Sequence, residues 1–315
     1  MGRLAAFFDK PRLWLNGLLF ALTVASTFVV GLGWSLSYLH ADRLASDPPP
    51  ALTAAVLLDP KALGLSLLYA VVLMAILLAH ELGHYLTCRR YGIDASLPFF
   101  IPAPTLVGTM GAFIRIRGAV TRRRQLFDIG VAGPLAGFVL ALPALAWGLS
   151  RSRVVPAIPA DEAIAFGEPL LLKALGAAVF GSLEAGQDII LHPVAFAGWV
   201  GILVTALNLL PVGQLDGGHI IYALAGPRSR RLATAWLILF VVLAVFFWVG
   251  WFVWALLILV LGLGHPRLLD DGIPLGNARK VLAGVVLAVF LLSFIPDPVK
   301  GYDLITILRQ IGIGI

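Results

Sequence analysis

Residues 63–86 read LGLSLLYAVVLMAILLAHELGHYL, an apolar run with two histidines and a glutamate set near its end. At about 1.5 Å of rise per residue, roughly 20 apolar residues cross the hydrocarbon of a bilayer, so this run predicts a spanning helix. Ionisable groups are costly at that depth, and their presence there argues for a purpose. His80 and His84 stand four positions apart, so on a helix they differ by about 40° around the axis and both imidazoles can serve one metal ion. Glu81 follows the first histidine, where it can act on water as a general base without being a ligand. The H-E-x-x-H spacing on an apolar helix therefore predicts a catalytic zinc site at membrane depth.

The remainder of the chain has the same character. Of its 315 residues, 60% are hydrophobic and 13% charged, which excludes a water-soluble fold with an ordinary polar surface. Further long apolar runs cover Leu13–Tyr38, Phe127–Leu149, Pro193–Leu210, Leu232–Leu263 and Val281–Phe294. With residues 63–86 they predict an all-α polytopic membrane protein of about six transmembrane helices. The first run exceeds a signal-peptide core and is expected to stay as a span. Leu232–Leu263 carries Trp248, Gly250, Trp251 and Trp254 in its middle, which suits either one tilted span or a hairpin of two short helices. Leu170–Gly181 is too short to span and reads as an interfacial or re-entrant piece.

The net charge of +6 comes from basic residues gathered at the ends of apolar runs rather than on a soluble face, which points to a lipid bilayer as partner and not to nucleic acid. Arg89, Arg90, Arg115, Arg117, Arg122, Arg123 and Arg124 place the loop after the second span in the cytoplasm, together with the N-terminal Arg3, Lys10 and Arg12. The acidic segment Pro159–Asp188, with Asp161 and Glu162, belongs on the other side, as does the proline-rich connection Asp47–Pro50. The metal site then lies toward the cytoplasmic side. Cys88 is the sole cysteine and cannot form an internal disulfide. No stretch outside the apolar runs has the length of a separate soluble domain, so residues 1–315 are expected to form a single membrane-embedded domain.

Two histidines do not complete a catalytic zinc site, which ordinarily takes three protein ligands and leaves one position open. His40, His192 and His265 lie at the ends of spans and read as interfacial. The stretch Asn208-Leu209-Leu210-Pro211-Val212-Gly213-Gln214-Leu215-Asp216-Gly217-Gly218-His219 is different. Pro211 and Gly213 should break a helix there, and broken backbone at membrane depth persists only where protein or a water-filled cavity satisfies it. Asp216 inside that break is placed to be the third ligand. His219, three residues on, is a candidate partner of the ligands or an alternative ligand.

At these residues the chain resembles the site-2 protease family of intramembrane zinc metalloproteases, in its compact form without a PDZ domain. The resemblance joins His80-Glu81-Leu82-Gly83-His84 to Asn208-Leu209-Leu210-Pro211 and Asp216-Gly217, and Gly133-Pro134-Leu135-Ala136-Gly137 is similar to the family's small-residue motif. It implies zinc held by His80, His84 and Asp216, with Glu81 as base and a catalytic core over about residues 63–225. It also implies proteolysis of transmembrane protein substrates, in a bacterial or archaeal cell membrane sooner than a plastid one. Asn208 matches a polar position of the second motif and is a candidate for substrate binding or oxyanion stabilisation. Gly108–Gly118 is bounded by glycines and alternates apolar and basic residues at its end, as a strand or hairpin would. A membrane-associated loop in this position of the family supports an edge strand that pairs with substrate, with Gly111, Phe113 and Ile114 as candidates. A non-proteolytic metal-dependent transporter and an inactive membrane scaffold are the alternative readings.

Overall fold

The computed structural model describes residues 13–41, 58–157, 164–262, 268 and 275–310. Arg3, Lys10, Arg12, Asp47–Pro50, Asp161, Glu162 and His265 lie outside them. In chain order the elements are α1 (Leu13–Leu39), α2 (Pro60–Arg90), β1 (Phe99–Pro102), β2 (Thr109–Phe113), α3 (Arg123–Leu149), β3 (Arg153–Pro156) and α4 (Leu170–Phe180). There follow β4 (Gln187–Ile190), α5 (Pro193–Asn208), α6 (Asp216–Ala225), a 3-10 turn (Gly226–Arg228), α7 (Ser229–Phe246), α8 (Trp251–Leu261), α9 (Asn277–Ser293) and α10 (Leu304–Gln310).

The protein is a mostly helical membrane protein. Among the described residues, four helical runs are long and apolar enough to span: α1, α2, α3 and Asp216–Phe246. The expected run Leu232–Leu263 is divided by a break at Phe247–Gly250, and its first half is prolonged backward through Asp216. Pro193–Asn208 has 16 residues and Trp251–Leu261 has 11, both shorter than a perpendicular crossing needs. The short hairpin expected between the second and third spans is present as the antiparallel ladder β1–β2, and a second two-stranded ladder, β3–β4, was not expected.

One compact unit comprises the described residues of 1–119, 135–158 and 174–204. Here α1 meets α2 closely because Gly31 has no side chain: a Cβ there would lie 2.6 Å from Tyr69 Cδ1. The β1–β2 hairpin sets Phe99 opposite Phe113 and Phe100 opposite Ala112. Polar side chains of α1 and α2 hold it. Asn16 Nδ2 donates to the Pro98 carbonyl at 2.8 Å, Ser26 Oγ to Gly108 at 2.7 Å, Trp34 Nε1 to Leu106 at 2.9 Å and the Tyr69 hydroxyl to Val107 at 3.0 Å. The hairpin turn thus receives its hydrogen-bond partners from the two helices.

In the same unit, α5 packs on the later half of α3 through glycines. A Cβ on Gly148 would stand 2.2 Å from Ala195 N, and one on Gly198 2.5 Å from Leu145 N. Such contacts let backbones approach where lipid offers no hydrophobic drive. His192 caps the start of α5, its Nδ1 accepting the Val194 N–H at 3.2 Å. Its ring meets Tyr38 and Trp147 edge-on at 5.0 and 5.5 Å. Burial, and after it the charge of Arg151, hold this imidazole below its ordinary range.

The other unit comprises the described residues of 120–134, 159–173 and 205–315. After α5 the chain breaks over Leu209–Leu215, where Pro211 lacks an N–H and Gly213 adopts φ +54°. Short local bonds satisfy the loop: Val212 N–H to the Leu210 carbonyl at 2.8 Å and Leu215 N–H to Val212 at 3.2 Å. The loop then turns directly into α6. Beyond the Phe247–Gly250 break, Trp251 stacks on Phe240 at 5.1 Å and donates from Nε1 to the Pro296 carbonyl at 2.7 Å.

Candidate metal centre

Helix α2 is apolar for most of its length and buries His80, Glu81 and His84 to 5%, 6% and 7% exposure. Their side chains share its last turns, before Arg89 and Arg90 end the helix. The two imidazole Nε2 atoms lie 3.2 Å apart, with ring planes inclined by 69°. Two nitrogens at zinc distances of 2.0–2.1 Å, subtending a tetrahedral angle, would be separated by about 3.3 Å. The observed spacing therefore fits one edge of a zinc tetrahedron. The fit extends to the donor type, since neutral imidazole is an ordinary zinc ligand.

The later half of α3 crosses beside this turn. A Cβ on Gly137 would come 3.3 Å from His80 Cβ and 3.4 Å from His80 Nδ1, so the absence of a side chain there sets how near α3 approaches the histidine. Gly137 belongs to the small-residue motif read in the sequence, and this contact is its physical content.

In the second unit, Asp216 is the first residue of α6 and half-buried, and His219 lies one turn further. The short helix is seated by glycines. Gly217 faces the carbonyls of Leu209 and Leu210, which a Cβ would meet at 2.1 and 2.5 Å. Gly218 faces Gly213 and Val212 in the same way, at 2.4 and 2.7 Å. The first half of α3 runs along α6: a Cβ on Gly130 would sit 3.2 Å from the Asp216 carbonyl oxygen, 3.2 Å from His219 Cβ and 3.3 Å from Ile220 Cγ1. At the other end of α6 the guanidinium of Arg123 lies over Gly226, 2.7 Å from where its Cβ would be, where the negative end of a helix dipole favours a cation.

Asn208 ends α5 and is half-buried. Gly111 and Phe113 belong to β2, whereas Ile114 lies just beyond it, ahead of the bridge between Ala95 and Ile116. Arg117 N–H donates to the Asp94 carbonyl at 2.8 Å, and Ser96 N–H donates to that of Arg115 at 2.9 Å. Backbone groups alternate in direction along an extended chain, so Ile114, next to Arg115, turns its own toward the opposite edge. His40 is engaged with its own helix, Nδ1 lying 3.0 Å from the Leu36 carbonyl. Cys88 is buried one turn beyond His84.

Sequence reading took Arg123 only as one of the basic loop residues and passed over Gly130 and the pair Asp128–Arg279. The spacing 123, 130, 137 was a usable signal, because seven residues return to nearly the same face of a helix. The ion pair joins positions 151 apart and leaves no local trace.

Residues 68–249 match the family model described as peptidase family M50. Among curated proteins, the chain is 32% identical over 313 residues to "Probable zinc metalloprotease EGY1, chloroplastic" of Arabidopsis thaliana, covering 95% of this chain and 54% of that one. It is 34% identical over 237 residues to "Probable zinc metalloprotease EGY2, chloroplastic" of the same plant, covering 73% of this chain and 41% of the relative. To "Probable zinc metalloprotease EGY1, chloroplastic" of Oryza sativa subsp. japonica it is 36% identical over 222 residues, covering 66% and 37%. No solved structure matches. The chain belongs to peptidase family M50, the site-2 protease family. It spans about half or less of the length of these relatives.

Proposed function

We propose that the chain is an intramembrane zinc metalloprotease that hydrolyses peptide bonds in or near transmembrane segments of membrane proteins. The observation that carries this reading is the 3.2 Å separation of the His80 and His84 Nε2 atoms on a buried H-E-x-x-H turn. Membership of family M50 and the names of the relatives support it.

Asp216 is the third ligand in this reading. Its support is its place as the half-buried first residue of α6, on a turn that Gly217 and Gly218 seat against the preceding loop. His219 then stands beside the ligands, and Asn208 is offered to the substrate carbonyl as an amide donor. Bound zinc supplies Lewis acidity and makes water more acidic. Glu81, the neighbouring carboxylate, takes the proton from the attacking water and hands it to the leaving nitrogen.

The catalytic core is assigned to about residues 63–225, within one membrane-embedded domain of residues 1–315; the overlap with the family match at 68–249 supports the first part. The chloroplastic relatives favour a plastid-type membrane over the bacterial or archaeal one expected from the sequence. Arg89, Arg90, Arg115, Arg117 and Arg122–Arg124 support a cytoplasmic or stromal position for the loop after α2, by the positive-inside rule. Purified protein incubated with single-span test substrates tests the activity. Cleavage that a zinc chelator stops and added zinc restores is the expected result; cleavage indifferent to the chelator overturns it.

Substrate pairs with the hairpin edge through its backbone. An unwound transmembrane segment exposes amides that cost several kcal/mol each if left unpaired in hydrocarbon, and an edge strand pairs them. Ile114→Pro removes an outward N–H and should lower cleavage strongly, whereas Ile114→Val should have little effect. Zinc content and thermal unfolding serve as controls for the fold. Cleavage by folded Ile114→Pro at the native rate, in detergent and in bilayers, would exclude pairing at this position.

A further inference from the structure

The two sides of α3 have different neighbours. Arg123 and Gly130 face α6, at Gly226 and at Asp216 respectively. Asp128 is two residues from Gly130, about 200° away around the axis, and so looks to the far side. There it meets Arg279, in the first turn of α9. Arg279 Nε donates to Asp128 Oδ1 at 2.8 Å and Nη2 to Oδ2 at 2.7 Å. A bidentate guanidinium–carboxylate pair fixes direction as well as distance, which a single ion contact does not. The side chains are 29% and 24% exposed, so neither is freely solvated. Arg279 also lies beyond residue 249, where the family match ends.

We propose that Asp128 and Arg279 are a positioning pair for the metal site: α9 holds α3 from behind, so that the Gly130 face stays pressed on the Asp216–Ile220 turn. The inference rests on the reading of Asp216 as a zinc ligand. The contact is close enough to transmit small movements. With 3.2 Å between the hypothetical Gly130 Cβ and the Asp216 carbonyl, a retreat of α3 leaves the ligand-bearing turn without its backing. Loosening the pair therefore acts on the freedom of Asp216 and not on the chemistry of Glu81. It should weaken zinc binding, and lower kcat in proportion to the metal lost, with little change in KM.

The experiment uses the full chain in detergent, with zinc affinity measured by chelator competition alongside thermal unfolding. The variants are Asp128→Asn, Arg279→Gln, Arg279→Lys, the exchange Asp128→Arg with Arg279→Asp, and Asp216→Ala. Asp128→Asn and Arg279→Gln should weaken zinc by about tenfold or more, the range expected when a partner behind a metal ligand is lost. The exchanged pair should recover part of that loss. Native affinity in Asp128→Asn and Arg279→Gln, with zinc lost in Asp216→Ala, overturns the positioning role and leaves the ligand assignment standing. Zinc retained in Asp216→Ala removes the ligand assignment, and the positioning role with it. If the neutral variants do not fold, Arg279→Lys decides alone, since it keeps the charge and gives up the second donor. Several-fold weaker zinc in that variant supports the pair, and native affinity refutes it.

Discussion

Glu81→Gln should lower cleavage by about 10²- to 10⁴-fold, the usual contribution of a positioned general base, while zinc content stays at the native level. The amide has nearly the shape of the carboxylate but cannot accept the proton. Because His80 and His84 are untouched and their Nε2 atoms hold the zinc spacing, binding should persist. Glu81 is only 6% exposed, so its replacement also removes an ionisable group from a costly setting. The unfolding temperature should therefore not fall. Paired measurements of cleavage and zinc content on one preparation make the check. Retained cleavage would point instead to a different base, because the amide at this position accepts no proton.

Gly217→Ala should cost the site its third ligand without altering any proposed ligand. The new Cβ would lie 2.1 Å from the Leu209 carbonyl oxygen, 2.4 Å from its carbon and 2.5 Å from the Leu210 oxygen. These are backbone atoms of a loop already confined by Pro211 and Gly213, so there is no flexible side chain to swing aside. Either the loop or α6 must shift, at about 1–3 kcal/mol for overpacking of this kind. Asp216 precedes the substituted residue and would move with it. Zinc affinity should fall by about ten- to a hundredfold, as read by chelator competition. Gly176→Ala is the control. Nothing lies within 4 Å of its Cβ, and alanine within helix α4 should be neutral or stabilising. Equal behaviour of the two variants would mean that the close approach at Gly217 does not govern the ligand.

What the sequence makes legible here is whatever repeats over a short distance. His80, Glu81 and His84 are read from spacing alone because four residues nearly complete a helical turn, and the structure gathers them on one buried turn. The hairpin is anticipated by its bounding glycines, although the strand itself is shorter, Thr109–Phe113. Its partner β1 is hidden because Phe99–Pro102 carries a proline and no alternation. The helix from Asp216 escaped because the glycines that lower its local propensity are the residues that let it dock. In Leu232–Leu263 composition suits one helix or two, and the break at Phe247–Gly250 is settled by Trp251, whose Nε1 finds its acceptor at Pro296. The hairpin's attachment to α1 is equally distant in sequence: Asn16 meets Pro98, and Ser26 meets Gly108, each across 82 positions.

The seven-residue interval from Arg123 to Gly130 to Gly137 makes α3 a ruler. Two turns of helix need about 7.2 residues, so each mark falls about 20° behind the last and the edge of the ruler winds slowly. Loops on either side of it can change length without altering the marks. A single residue inserted between Gly130 and Gly137 would turn one mark by about 100° and advance it by about 1.5 Å, giving His80 a side chain where it now has a gap. Lineages of this protein should therefore differ freely in the lengths of their connections while keeping the count along this helix fixed.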